Sequence, residues 1–349
     1  MNNNMPEIGN RSDVGRVRKA NEDYFGTFKG DFGTLVVVCD GMGGHKGGSV
    51  ASRVAVEVIK SHFESLGTEF DPKEELKNAL IKANATILQK AAEDSELTGM
   101  GSTAVLLLIQ EEVCYYAHVG DSRIYHIRSK EIKQITKDHS LVQQMVDAGM
   151  ITEDAAKNHP KKNVITRALG SEGNSEPEVS EELPLCKNDK FLLCSDGLTG
   201  FVEDDEILKV AEKYPPQAAC EKLVDMANER GGKDNITVQI ARITAGPKPT
   251  LSENKKTNYL FYTAIISFII ALVLFFIFVL GPSIWQNNPG NVTPAQVDTL
   301  KVQGNQPPQN IQQGTNNVKP TQQQVVPDKK NEKPKVNKNQ NNEVKSNKK

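Results

Sequence analysis

Four short acidic motifs carry the chemistry this sequence offers: Asn21-Glu22-Asp23, Asp40-Gly41, Ser195-Asp196-Gly197 and Lys233-Asp234-Asn235. Each lies at the edge of a run with strand character, or directly before or after one. Alone, any of them is as well read as a solvated turn, because Asp-Gly and Asp-Asn are common turn dipeptides. Taken together they raise a question of charge. Packed strands place their ends near one another, and carboxylates gathered in one cleft repel unless cations neutralise them. Hard divalent ions such as Mg²⁺ and Mn²⁺ take carboxylate, carbonyl and water oxygens. Two of them about 3.5–4 Å apart let a bridging water lose its proton near neutral pH, which gives a nucleophile without an attacking Ser or Cys. An oxygen-only pair of this kind suits hydrolysis of a phosphoryl group, and a nearby guanidinium would grip the phosphate bidentately. Arg18, five residues before Asp23, can share its arm of chain. By position alone Arg18 reads first as a surface base beside Arg16 and Lys19.

The elements that must position these groups follow from hydrophobic patterning. Leu35-Val36-Val37-Val38-Cys39 reads as a strand buried on both faces and ending at Asp40, with Gly41, Gly43 and Gly44 freeing the backbone to wrap round a small cation. Residues 7–28 read as an edge strand or extended arm whose charged centre, VRKANED, crosses the active face. Val50, Val54, Val58, Ile59 and Phe63 mark an amphipathic helix, and Asp71-Pro72 starts a second one with Leu76, Leu80, Ala83 and Ile87 on its buried side. Then come STAVLLLI, EVCYYAHVG, DSRIYHIR and KEIKQIT, whose short connections predict antiparallel neighbours in a meander. Residues 137–169 are helical and polar. A buried strand over 189–194, helices over 203–214 and 215–229, and a last strand, NITVQIARI, complete the pattern. Runs of strands separated by helix pairs predict an α+β sandwich of antiparallel sheets covered by helices.

Composition divides the 349 residues in three. Residues 1–243 have globular composition. Tyr259–Leu280 is uncharged and apolar for 22 residues, long enough to cross a hydrocarbon core of about 30 Å, and is expected to be a transmembrane helix. Residues 281–349 are rich in Asn, Gln, Pro and Lys and are expected to be disordered, with a 244–258 linker before the helix. Lys248, Lys255 and Lys256 precede the apolar stretch, and no Lys or Arg follows until Lys301, which predicts a cytoplasmic globular part and an external tail. The net charge of −2 hides a contrast: ten lysines against four carboxylates after Leu280 leave the remainder at −8, so nucleic acid is not an expected partner. Five cysteines without a CxxC pair argue for a reducing compartment and against zinc, and the opening MNNNMPEIGN, with no apolar segment, is not expected to be a signal peptide.

In order along residues 8–243, the motifs SDVGRVRKANED, VCDGMGGH, GSTAV, HVGDSRIY, DHSLV, ITRALG, CSDGL and GKDNITV resemble those of bacterial metal-dependent serine/threonine protein phosphatases, the PPM family, type 2C. The resemblance implies a four-layer αββα sandwich and a site for two Mn²⁺ or Mg²⁺ ions, or three. It implies that Asp40 bridges the two main ions, that Gly41 offers its carbonyl, that Asp196 and Asp234 hold the first ion, and that Glu22 and Asp23 hold metal-bound waters. Arg18 matches the phosphate clamp, Asp121 a ligand of the third ion, and Ser195 and Asn235 supports behind them. Met42 stands where many eukaryotic members have His, which leaves His45 or a metal-bound water as the general acid; Gly200 stands where they have a further Asp. Residues of about 138–173 match a flap beside the site. The implied activity is hydrolysis of phosphoserine and phosphothreonine on proteins, reversing a Ser/Thr kinase at the plasma membrane. A catalytically silent membrane-anchored binding module and a phosphatase dedicated to one anti-sigma-type regulator are the alternatives.

Overall fold

A computed structural model describes residues 5–43, 46–173, 175–249 and 265–275. The chain divides into two units, 1–268 and 269–349. In the first, every strand pairing is antiparallel and the strands form two sheets. One runs β1 (Glu7–Asp13), β12 (Ile236–Arg242), β11 (Lys190–Cys194), β7 (Arg123–Arg128), β8 (Glu131–Gln134). The other runs β10 (Leu183–Pro184), β6 (Val113–Val119), β5 (Ala104–Gln110), β3 (Gly33–Met42), β2 (Asp23–Gly30), with β4 (Gly101–Ser102) on β3 and β9 (Glu178–Val179) on β6.

The run LVVVC explains the layering. Leu35, Val37 and Cys39 enter a core shared with α1 (Gly47–Glu64) and α2 (Pro72–Glu93), while Val36 and Val38 enter a second core with Phe191 and Leu193 of the facing sheet. Alternate residues of one strand thus point into two different cores. A third core packs α6 (Asp204–Lys213) and α7 (Pro216–Glu229) on the outer face of the five-stranded sheet through Ile207, Leu223 and Val238. Three cores between helix, sheet, sheet and helix make a four-layer sandwich. Helix α2 begins as its sequence requires, with Asp71 accepting from the Lys73 and Glu74 amides and Pro72 in the first turn.

Two expectations need correction. The strands over 102–136 are not one meander: β5 pairs with β6 and β7 with β8, but β6 and β7 belong to different sheets. The chain changes sheet at Gly120, whose φ of +105° is one a glycine adopts without strain. Nor does β3 stop at Asp40; it continues through Gly41 and Met42, which pair with Ser102 and Gly101. The polar stretch after residue 137 contains the short helices α3 (Leu141–Asp147) and α4 (Glu153–Lys157), as its pattern suggests.

Of the 259–280 apolar stretch, residues 265–275 are helical and exposed, and the rest lies outside the described residues. Among the described residues no helix is long and apolar enough to cross a membrane. The 281–349 tail, expected to be disordered, also lies outside them, as does His45.

Candidate metal centre and active site

Register brings the first two carboxylates together: Asp23, first residue of β2, is paired opposite Asp40 on β3. From the facing sheet, Asp196 follows the end of β11 in the short helix α5 (Asp196–Thr199), and Asp234 precedes the start of β12. Because β11 and β12 are antiparallel neighbours, the end of one and the start of the other meet. Asp121 lies in the crossing between sheets, just before β7. Five carboxyls from distant parts of the chain therefore share one end of the sandwich.

Asp23 is buried and held firmly. Its Oδ2 accepts from Ser195 Oγ at 2.8 Å and from Thr237 Oγ1 at 2.7 Å. Its Oδ1 is buried with no hydrogen-bond partner. Asp40 is fixed through its backbone: its amide donates to Thr103 Oγ1 at 3.0 Å, and its carbonyl accepts from the Thr103 amide at 2.8 Å and Ser102 Oγ at 3.0 Å. Thr103 Oγ1 in turn meets Ser122 Oγ at 2.7 Å, which joins the Asp40 strand to the residue after Asp121. The arm carrying Glu22 is pinned by Asn235, whose Oδ1 accepts from the Glu22 amide at 2.8 Å and whose Nδ2 donates to the Val14 and Ala20 carbonyls at 2.9 Å.

Gly41 is where backbone meets backbone. A Cβ there would lie 2.1 Å from the Gly48 carbonyl oxygen and 2.5 Å from that of Glu22. Close packing of β3 between the arm and the first turn of α1, not freedom to wrap, is what demands glycine. At Gly43 the φ of +127° does demand it.

Electrostatics reflect this crowding. Burial, then the fields of Asp23, Asp196, Asp121 and Asp234, push the Asp40 carboxyl well above the usual carboxylate range. Burial pushes Asp23 up to about 7 against the lowering effect of its Thr237 and Ser195 hydrogen bonds. Burial and the charge of Asp196 push Asp121 up to about 7. Asp196 rises to about 6 through burial and Asp234, held back by a hydrogen bond with Asp40. Carboxyls crowded in this way repel, and a bound cation relieves that repulsion. An orphaned buried oxygen on Asp23, buried carboxyls pushed above the usual range and an all-oxygen donor set fit divalent ions of the Mg²⁺ and Mn²⁺ type.

Arg18 reaches into this cluster rather than into solvent. Its Nη2 donates to Asp234 Oδ2 at 2.8 Å, and its Nη1 lies 3.6 Å from Glu22 Oε2. The first of these contacts leads the causes that raise its pKa. Its side chain stays about half exposed, 46%, so one edge of the guanidinium faces outward. Structure thus brings Arg18, Glu22, Asp23, Asp40, Gly41, Asp121, Asp196 and Asp234 to one end of the sandwich; His45 lies outside the described residues. Met42 ends β3 beside Gly101.

Sequence reasoning missed several supports. Thr237 and Thr103 reach Asp23 and Asp40, and Ser52 donates to the Glu22 carbonyl at 2.6 Å. Arg123 grips Asp138 in a fork, Nε to Oδ1 at 3.0 Å and Nη2 to Oδ2 at 2.7 Å, and so ties the root of the 138–173 segment to β7. Nothing in the local sequence marks Thr237 or Ser52, since each acts across long stretches of chain.

Comparison with known proteins places this geometry. Residues 16–238 match the family model described as Protein phosphatase 2C. The serine/threonine phosphatase stp of Listeria monocytogenes is 39% identical over 235 residues, covering 65% of this chain and 92% of that one. Serine/threonine phosphatase Stp1 from Staphylococcus aureus superposes with a TM-score of 0.64 at 37% identity, over 69% of this chain and 96% of its own. The catalytic domain of serine threonine protein phosphatase PstP, solved in complex with two manganese ions, superposes with a TM-score of 0.62 at 33% identity, over 69% of this chain and 99% of its own.

Proposed function

The chain belongs to the protein phosphatase 2C family and is a serine/threonine protein phosphatase, and from that premise we propose how its residues divide the work and where it acts. Asp40, Asp196, Asp234 and the Gly41 carbonyl hold two Mn²⁺ or Mg²⁺ ions, Asp23 and Glu22 hold their waters, and Asp121 serves a weaker third ion. The single observation that carries this reading is the unpartnered Asp23 Oδ1 inside a ring of carboxyls with raised pKa values. When bound, such ions offset phosphoryl charge and lower the pKa of water to near neutrality.

The remaining steps belong to this chain's own side chains. Arg18 is paired with Asp234; were Asp234 to hold a cation, the guanidinium would be free to fork onto two phosphoryl oxygens. Ser195 and Thr237 hold Asp23 in one rotamer, so it orients a water without moving. The outward edge of Arg18 would meet a phosphorylated side chain from a protein surface. The implied partner is a Ser/Thr kinase whose phosphorylation is reversed.

The apolar stretch 259–280 tethers the enzyme to the plasma membrane with the phosphatase unit in the cytoplasm; its length and the lysines before it support this. Asp234 precedes β12 and Pro249 follows it. The chain therefore leaves the phosphatase body at the end opposite the carboxylates, roughly 20 Å away along the strand.

Asp40→Asn tests the metal reading. It should lower Mn²⁺-dependent phosphate release from a phosphothreonine peptide by roughly 10²–10³-fold; a variant as active as the parent would refute the assignment.

A further inference from the structure

Outside the acidic cluster, the described residues contain one group of ligand-type side chains within 4.8 Å of one another: His118, His139 and Glu178. The spacing is that of a cation site, but the hydrogen bonds point elsewhere. His139 Nδ1 accepts from the Gly120 amide at 3.2 Å, which puts its lone pair on Nδ1 and its proton on Nε2. The other ring nitrogen, Nε2, lies 3.0 Å from Glu178 Oε1 and 3.4 Å from Arg167 Nη1. The same oxygen accepts from Arg167 Nη1 at 3.0 Å, so a positive charge already occupies it. A metal would have to displace the guanidinium and reverse the tautomer.

What the arrangement does is lock Gly120. The His139 amide donates to the Gly120 carbonyl at 2.9 Å while the Gly120 amide donates back to the His139 ring. Gly120 has a φ of +105°, and a Cβ on it would lie 2.6 Å from the Thr103 side chain that holds the Asp40 amide. Its next residue is Asp121. His118 stacks on the His139 ring with centroids 4.6 Å apart, and Glu178 is the cross-strand partner of His118. Burial and His118 push the His139 pKa down to about 4, so at neutral pH the ring is uncharged and its tautomer is the variable that matters.

We propose that Glu178 is a positioning residue for the phosphatase reaction, acting through His139 to fix the Gly120–Asp121 backbone and so the carboxylate of the third-ion site. A carboxylate that fixes an imidazole tautomer is a recurrent device behind metal centres, and removing one costs about 10–100-fold in affinity. Here it works one step further out, through main chain. The inference rests on the reading of Asp121 given above.

Two measurements on the full-length chain and its variants test it. In the metal-free protein, nitrogen-15 spectra of the histidine rings should show His139 protonated on Nε2 in the parent and in Glu178→Gln, whose amide oxygen still accepts. In Glu178→Ala the ring should populate both tautomers. Paramagnetic resonance of free Mn²⁺ should show the weakest site of Glu178→Ala shifted about tenfold to higher concentration, with the tight sites unchanged and Glu178→Gln close to the parent. Glu178→Asp, which draws the carboxylate back, should shift the same way and serves if the alanine variant does not fold. Asp121→Asn should lose the weakest site. Parent-like weak binding in Glu178→Ala or Glu178→Asp, with Asp121→Asn lacking that site, would overturn the role of Glu178. An Asp121→Asn variant that keeps the site would overturn the reading of Asp121 beneath it.

Discussion

Arg18 and Thr237 show what single side chains contribute at this site. Arg18 offers a planar fork, and two charge-assisted hydrogen bonds to a phosphate are worth several times a neutral one. Arg18→Ala should raise KM for a phosphothreonine peptide about tenfold to a hundredfold, and Arg18→Lys should recover little, because a point charge cannot match two oxygens at once; steady-state kinetics on both variants decides this. Thr237 donates to the buried Asp23 at 2.7 Å and also meets Ser12 Oγ at 2.8 Å. Thr237→Val keeps the shape and removes the donor, so Mn²⁺ should bind about tenfold more weakly in a calorimetric titration while the melting temperature changes little. These two residues also mark where the sequence stops being informative. Asp40, Asp196 and Asp234 could be picked out only as a set, because several acidic motifs flanking strands crowd like charges into one cleft and stand in the order of a known family's motifs. Thr237 could not, because a threonine alternating through ITVQI is what any strand contains, and its partner is 214 residues away.

At the scale of elements, the junction of β3 and α1 is the least tolerant part of the site. Gly41 passes between the Glu22 and Gly48 carbonyls, and an added methyl meets both backbones with no flexible side chain to give way. Gly41→Ala should destabilise the chain by at least about 3 kcal/mol and abolish activity. Asp71→Ala removes only the two amide contacts at the start of α2, far from the carboxylates; it should cost about 1 kcal/mol with kcat unchanged. Thermal melting and turnover on the pair separate a junction that shapes the site from a cap that only holds a helix. The helices and the buried β3 were legible because their signals are local: a 3.6-residue period, a Pro after an Asp, a valine run. Sheet membership was not. Whether β7 sits beside β6 or across the sandwich depends on the turn at Gly120 and on which face of each strand finds a partner, and a linear pattern does not encode that choice.

Across the whole molecule, the carboxyl cluster links folding, protons and cations. Asp23 and Asp121 are pushed up to about 7 and Asp196 to about 6, whereas an unfolded aspartate titrates near about 3.9. Groups whose folded pKa is raised stabilise the native chain fully below the unfolded value, and that stabilisation is lost as pH rises through the folded one. The metal-free protein should therefore melt at progressively lower temperature as pH rises from about 4 to about 7, by about 5 °C or more, the three carboxyls outweighing the opposite slope from His139, whose pKa is pushed down to about 4. Saturating Mn²⁺ should remove that slope and release protons on binding, more at pH 6 than at pH 8, which calorimetry in buffers of different ionisation enthalpy reads directly. A metal-free melting curve that instead rises with pH over this range would mean the carboxyls do not crowd one another in solution. The same wholeness bears on the tether. Among the described residues, all three cores, every strand and every carboxylate of the site lie before residue 244, and the hydrogen bonds to the body beyond it are the Lys187 amide to the Pro247 carbonyl at 2.8 Å and Thr244 Oγ1 to the Met5 carbonyl at 2.9 Å. Removing residues 257–349 cuts none of these contacts. The truncated chain should be recovered without detergent, melt within a few degrees of the parent and hydrolyse a soluble phosphothreonine peptide at the same kcat, while the full-length chain sediments with membranes. A folded truncation without activity would show that the segment beyond residue 256 acts on the site itself, and full-length protein found free of membranes would end the reading of 259–280 as an anchor.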